Sequence, residues 1–221
     1  MADVARRPSL PRISEIHSRA FRQYLENETI ADSLFEFENS YIPGLLQTPS
    51  YAKALLETSA RQTFVSPDEW NDAQERISKK IEMRMFRQEI LKEGGISKAS
   101  FVLDESVVRR MVGAELDDKT VMVGQLEHLK KMSRNPRVDL RIVPFSAGAH
   151  LGMTGPFVVL DFPDVDDPPM LYLEYATGEF VTTEEPQLTQ RFTFDFETLQ
   201  GQACRGRDLE RLLDDAISSM R

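Results

Sequence analysis

The stretch SYIPGLLQTPSYAKALLE, residues 40–57, places polar and aromatic side chains around a proline–glycine turn. Tyr41, Gln47 and Tyr51 could form one wall of a pocket, because ligand sites combine apolar walls with a few convergent polar groups. The same two tyrosines could instead fasten the start of a helix to the core. The sequence leaves both interpretations open.

Two further residues could move protons. His150 lies in the glycine-rich loop GAHLGMTG, and an imidazole in such a loop can titrate near neutral pH. Glu174 lies inside the apolar run LYLEY, where a carboxylate either faces solvent or lines a cavity. Together with Tyr41 they form the acid–base set that we predict if the protein is an enzyme. A surface histidine and a structural glutamate are the alternatives.

Charged residues also gather where a short helix is predicted to begin. Asp104 and Glu105 precede Arg109 by about one turn. Acids at a helix N-terminus and i,i+4 ion pairs stabilise helices, so a structural role is one interpretation. A second charged set at the binding site is the other. Farther back, Lys79, Lys80, Arg84 and Arg87 alternate with glutamates, which predicts a solvated helix face.

No cofactor or metal motif is visible in the sequence. The three histidines (His17, His128 and His150) are scattered, and neither a phosphate-binding loop nor a nucleophile elbow occurs. Cys204 is the single cysteine. We therefore predict no metal and no cofactor, and we do not expect redox chemistry.

The overall charge narrows the classes of partner. The chain of 221 residues carries a formal net charge of −9, whereas duplex binding depends largely on clustered lysine and arginine. This balance argues against direct DNA binding. No apolar run approaches the roughly 20 residues that span a bilayer, so we expect no membrane association. A single cysteine is typical of the reducing cytoplasm, where we place the protein.

Hydrophobic periodicity predicts an α+β fold with N-terminal helices, a small, mostly antiparallel sheet and C-terminal helices. Helical spacing extends from about Ser14 to Glu38, and further helices are predicted near 49–60, 66–93, 104–112 and 119–132. Strands are predicted near 99–103, 138–143, 156–162, 170–175 and 179–182, followed by helices over 188–199 and 208–220. We divide the chain into an N-terminal arm and helix, residues 1–35, and one effector-like α+β domain, residues 36–221.

Several segments together resemble a known family. They are YIPGLLQTPSYAKALL, RQEIL, FVLDESVVRRMVG, QLEHL, VDLRIVPFSAGAHLGMTGPFVVLDF and LYLEY. In this order they are similar to the C-terminal effector domain of actinomycete helix-turn-helix regulators of the xenobiotic-response-element type, which are antitoxin-like. The resemblance covers roughly Glu36 to Leu199. The family's DNA reader would precede this domain, and the residues before Glu36 do not match it.

The resemblance implies a transcription-regulation effector domain that binds a small molecule or a protein partner. The ligand-binding set would be Tyr41, Gln47, Tyr51, Asp104, Glu105, Arg109, His150 and Glu174. A cofactor-independent enzyme of specialised metabolism, of cyclase or isomerase type, is the alternative use of the same pocket. The sequence leaves open whether the protein is catalytic, which ligand it binds and whether it forms a homodimer.

Overall fold

The computed structural model describes residues 18–63, 66–114, 118–164, 166–175 and 178–221. These residues form seven α-helices and six β-strands in an α+β arrangement. The helices are α1 (Arg19–Glu28), α2 (Pro49–Thr63), α3 (Pro67–Arg87), α4 (Glu105–Arg109), α5 (Thr120–Met132), α6 (Pro186–Gln202) and α7 (Arg207–Met220). The strands are β1 (Ser33–Glu38), β2 (Lys98–Asp104), β3 (Val138–Val143), β4 (Phe157–Asp161), β5 (Met170–Tyr175) and β6 (Gly178–Thr182).

The six strands form one sheet in the order β3-β2-β1-β4-β5-β6. Three of its pairings are antiparallel, as the predicted mostly antiparallel sheet requires. The other two pairings join β1 to β2 and β2 to β3 in parallel. Helical segments connect β1 to β2 and β2 to β3, because parallel neighbouring strands need long crossover connections.

The first strand corrects the sequence prediction. Helical spacing was expected as far as Glu38, but α1 ends at Glu28 and residues 33–38 form β1 at the centre of the sheet. Leu34 and Phe37 are both fully buried although they point to opposite faces. Because both faces are covered, apolar residues occur on both sides of the strand and imitate a helical pattern. The part of that prediction before residue 18 lies outside the described residues.

Local signals explain the other element boundaries. Ser66 caps α3 by accepting a hydrogen bond from the Glu69 amide, and the Glu69 carboxylate accepts one from the Ser66 amide, so the two residues form a capping box. Pro49 begins α2, where its missing N–H leaves no bond unmade. Asp104 caps α4 through the Ser106 amide at 2.8 Å.

The sheet separates two hydrophobic cores. We call face 1 the side on which Leu34, Phe101 and Tyr172 pack against α1, α2, α5 and α7. Face 2 carries Phe37 and Val159, which pack against α6. Outer residues of α2 and α3 pack on each other through the small cluster Ala60, Ala73 and Ile77. The α2–α3 pair therefore stands at the edge of face 1, where it leaves a cleft above the sheet.

Candidate functional site

A cleft of about 320 Å³ opens on face 1, and we call it the sheet-face cleft. Strands β1, β4 and β5 form its floor, and α1, α2 and α3 form its walls. Its volume is at the lower end of the range for small-molecule sites. Apolar and aromatic side chains supply much of the lining, among them Phe21, Tyr41, Leu55, Phe157 and Val158.

Three carboxyl groups face this cleft. The two-residue period of β1 places Glu36 and Glu38 on the same side, and Glu174 comes from β5. Glu36 is only 7% exposed, yet its carboxyl group makes no hydrogen bond or ion pair within the described part of the chain. The Oε2 atom of Glu38 is also buried without a hydrogen-bond partner among those residues. A buried carboxyl group without a partner is costly, so the position of Glu36 beside Glu38 in one cleft calls for a functional reason.

The carboxyl groups shift one another's protonation. Burial raises the pKa of Glu36 to about 8, and Glu28 and Glu174 act in the same direction while Arg87 opposes them. Burial, together with Glu36 and Glu174, raises the pKa of Glu38 well above its usual range. Near neutral pH the cleft therefore holds protons that a suitable ligand could displace.

One wall of the cleft is a closed ionic network. Arg87 donates to both carboxylate oxygens of Glu28, at 2.8 Å through Nε and 2.6 Å through Nη2. The hydroxyl of Tyr24 donates to Glu28 at 2.6 Å and accepts from Arg87 at 3.3 Å. Burial opposes the charge on Arg87, but Glu28 outweighs it and raises the pKa of the guanidinium. Both partners are satisfied, so this network shapes the cleft without needing a ligand.

Arg84 differs from Arg87, one turn further along α3. Its Nη1 donates to Oε1 of Gln47 at 3.0 Å, and no carboxylate of the described chain lies within ion-pair distance. Burial and the neighbouring Arg87 lower the pKa of Arg84 to about 10. The sequence prediction of a solvated basic face is therefore wrong for these two arginines. It holds for Lys79, which pairs with Glu75 at 2.6 Å on the exposed side.

The segment after β1 forms the rim of the cleft. Tyr41 lines the cleft and is 49% exposed. Gln47 also lines it, and its Nε2 donates to the Ile42 carbonyl at 2.7 Å. Tyr51 is buried beneath the turn, where its hydroxyl accepts from the Ile42 amide at 3.2 Å. Burial raises the pKa of Tyr51 to about 12, so this hydroxyl acts as a structural contact.

Gln125 of α5 fixes the same turn. Its Nε2 donates to the Leu46 carbonyl at 2.7 Å, and its Oε1 accepts from the Thr48 amide at 2.7 Å. The side chain is completely buried. Its two contacts hold the rim to α5, far away in sequence.

A second pocket, of about 500 Å³, lies at the carboxyl ends of the three parallel strands. We call it the strand-end pocket. His150 lies in it with Nε2 2.9 Å from Oδ2 of Asp104. Asn39 supports the loop beyond His150 by donating to the Gly152 carbonyl at 2.9 Å. The carboxyl edge of parallel strands is a frequent location for ligand sites.

Glu105 and Arg109 support this pocket from outside. Oε2 of Glu105 accepts from the Phe145 amide at 2.7 Å, and Arg109 bridges Glu105 and Asp215 at 2.9 and 2.7 Å. These contacts connect α4 to α7 and to the turn after β3. Neither residue lines either of the two pockets.

The structure thus divides the predicted site residues into three sets. The sheet-face cleft brings together Tyr41, Gln47 and Glu174, whereas Asp104 and His150 lie in the strand-end pocket. Tyr51, Glu105 and Arg109 hold the surrounding segments. The predicted acid–base set of His150, Glu174 and Tyr41 is therefore not assembled in one pocket. Sequence reasoning missed four cleft residues: Glu36, Glu38, Arg84 and Arg87.

Two features are absent from the described residues. They contain no group of three or more histidine, cysteine, aspartate or glutamate side chains arranged to hold a metal ion. None of their helices combines the length and the apolar character needed to cross a bilayer.

Fold and cleft together define an α+β protein with a ligand-sized, acid-floored cleft on one face of a mixed sheet. Residues 21–215 match the family model described as "Domain of unknown function (DUF5753)". The chain belongs to this family, because the match covers most of its length. No curated protein and no solved structure matches the sequence significantly.

Proposed function

We propose that the protein is a binding module for a small molecule and that the sheet-face cleft is its ligand site. The observation that carries this proposal is Glu36, a buried carboxyl group without a partner, beside Glu38 in a cleft of ligand size. Clefts that combine apolar walls, convergent polar groups and shifted pKa values are characteristic of binding sites.

A regulatory role agrees with this architecture. The rim segment 40–48 is tied to α3 through Gln47 and to α5 through Gln125. A ligand that contacts Tyr41 and Gln47 would alter the contacts that hold the rim segment to both helices. We propose that this change is how an effector domain of the actinomycete helix-turn-helix type receives its signal. A protein partner would then respond to the changed domain.

Native mass spectrometry of the full chain against a library of cationic, neutral and anionic compounds tests the binding function. We expect at least one compound to be retained at one molecule per chain. The matched variant is Ser59→Trp, because Ser59 lines the cleft from an exposed position of α2 and an indole there would fill it. Retention that is absent throughout, or unchanged in Ser59→Trp, would refute the cleft as the ligand site.

A cofactor-independent enzyme is the second candidate, and the Asp104–His150 pair favours it. A carboxylate that holds an imidazole at 2.9 Å is a common arrangement for general acid–base catalysis. The cyclase or isomerase chemistry would then occur in the strand-end pocket. If the wild-type chain converts a retained compound and a folded His150→Ala variant does not, the result would support the enzyme. Retention without conversion in the wild-type chain would favour the binding module.

A further inference from the structure

We infer that the ligand of the sheet-face cleft is a small organic cation, with an ammonium group on an apolar body. This inference rests on the proposed function and specifies its ligand class. The structure supports it through the balance of charge, the spacing of the carboxyl groups and the nature of the walls.

The balance of charge is the first argument. Glu36, Glu38 and Glu174 line the cleft, and Glu28 lies behind its wall. Only two guanidinium groups, Arg84 and Arg87, face these four carboxyl groups within the described chain. Arg87 is fully occupied by Glu28, so when Glu36 and Glu38 ionise a cation is the ligand that supplies the counter-charge.

Spacing is the second argument. Glu36 and Glu38 are next neighbours on one face of β1, so their Cα atoms are about 6–7 Å apart. Glu174 is two strands away across β4, at about 10 Å in the sheet plane. Val158 is opposite Glu36 on β4, so it forms an apolar floor between the carboxyl groups of β1 and the carboxyl group of β5. An ammonium group could contact the β1 carboxyl groups while its apolar body covers Val158.

The walls are the third argument. Phe21 and Tyr24 of α1 line the cleft, with Tyr24 stacked on Tyr172 at 4.6 Å between ring centroids. The exposed ring of Tyr41 closes the other side. The Arg87 guanidinium already lies over the rings of Phe21 and Tyr24, at 5.6 and 5.5 Å from their centroids, so the exposed ring of Tyr41 is the face open to a ligand cation.

The same features disfavour other ligand classes. An anion would oppose ionisation of these carboxyl groups, and a neutral molecule would supply no counter-charge once they ionise. A bare metal ion would need close-set ligands, and the described residues provide no such cluster. The cleft is also many times larger than an ion.

Proton release accompanies binding in this account. Glu36 must be ionised to pair with the ammonium group, so its proton passes to solvent when the ligand enters. The charged and titratable groups that face Glu36 are Glu38 on β1, Tyr24 and Glu28 on α1, Arg84 and Arg87 on α3, and Tyr172 and Glu174 on β5. The burial that raises the pKa of Glu36 to about 8 makes this proton available near neutral pH.

The test is an amide NMR titration of the full chain with three probes of similar shape: phenylethyltrimethylammonium, its neutral carbon isostere 3,3-dimethylbutylbenzene, and 3-phenylpropanoate. We expect the ammonium probe to shift amides of β1, β4 and β5 and to bind at least tenfold more tightly than the neutral probe. The carboxylate should not bind. Affinity for the ammonium probe should rise by up to about tenfold per pH unit from pH 6 to 8 and then level off, as expected for one released proton.

Isosteric variants localise the effect. Glu36→Gln and Glu38→Gln should each lower the affinity for the ammonium probe at least tenfold at pH 8. The affinity for the neutral probe should not change. Glu36→Gln should also make the affinity for the ammonium probe nearly independent of pH. The matched control is Glu197→Gln, an exposed acid of α6 on the other face of the sheet, which should change neither. All variants keep the side-chain volume, so their folds can be compared by the same spectra.

Each alternative outcome has a defined meaning. Equal or tighter cleft binding of the neutral or anionic probe would overturn the cation inference while keeping the proposed binding site. Ammonium binding that Glu36→Gln and Glu38→Gln both leave intact would also overturn it. If no probe binds but library compounds are retained in the native mass spectrum, only the ligand class would be rejected. Absence of both would reject the proposed function as well.

Discussion

Glu36 sets the properties of the cleft at the scale of single residues. Its pKa is raised from 4.5 to about 8, so the folded protein holds a proton that the unfolded chain releases within this range. The contribution to stability is fully present below about pH 4.5 and is lost as the pH rises through about 8.

The substitution Glu36→Gln tests this linkage. Glutamine cannot ionise, so the variant should gain about 1–3 kcal/mol in free energy of unfolding at pH 8.5 relative to wild type. Near pH 4.5 the two proteins should differ little. Urea unfolding at the two pH values measures the difference, and a gain that is independent of pH would show that Glu36 is not protonated in the fold.

Arg87 and Glu28 illustrate a buried pair that is satisfied. The substitution Arg87→Met leaves Glu28 buried without its cation, so we expect a loss of about 3–5 kcal/mol. The control is Lys130→Met, which removes ion pairs with the solvent-exposed carboxylates of Asp214 and Glu127 and should cost less than about 1 kcal/mol. Chemical denaturation measures both, and similar losses in the two variants would contradict the account.

Residue types near the turn predicted part of the site, because Tyr41 and Gln47 are close in sequence and surround a proline–glycine break. The carboxyl groups of β1 could not be found in the same way. Glu36 resembled an acid in a helix, and Arg87 resembled a solvated base because glutamates surround it in sequence. Only the tertiary contact with Glu28, 59 positions away, shows that Arg87 is buried.

At the scale of elements, one close contact holds the loop of the strand-end pocket. Gly152 lies directly on the ring of Phe37, where an added Cβ would approach the ring to 2.1 Å. Its carbonyl also accepts from Asn39. The segment 151–154 therefore packs on β1 through a position that has no room for a side chain.

The substitution Gly152→Ala should destabilise the protein by about 1–3 kcal/mol because Phe37 must move. The matched control is Gly124→Ala in α5, where nothing lies within 4 Å of the added methyl group. That control should gain up to about 1 kcal/mol from helix propensity. Thermal unfolding compares them, and a neutral Gly152→Ala would show that the loop is not packed tightly on β1.

Most helices and strands could be predicted because their caps and periods are local. The capping box of Ser66 and the alternation of Val138–Val143 are of this kind. Strand β1 could not, because its two covered faces remove the alternation. The direction of β2 and β3 was equally hidden, since parallel pairing depends on helical crossovers and not on the strand sequences.

At the scale of the whole molecule, the ligand site joins distant parts of the chain. Helix α1, the rim segment, α3 and β5 all contribute to the cleft. A ligand there would bind only the folded state. Its binding free energy therefore adds to the stability of the whole domain.

This coupling predicts thermal stabilisation by any compound that occupies the cleft. At 100 times its dissociation constant, such a compound should add about 2.7 kcal/mol. For a chain of this size the shift in Tm is roughly 2–4 °C for each kcal/mol. Calorimetry measures the shift, and Ser59→Trp should abolish it. A shift that persists in Ser59→Trp would place binding elsewhere.

Hydrogen–deuterium exchange of the full chain, with and without each retained compound, tests whether the sheet-face cleft is the ligand site. We expect slower exchange in β1, in the rim segment 40–48 and in the last turns of α3, with residues 144–153 unchanged. Protection confined to residues 144–153 would assign binding to the strand-end pocket and contradict the account.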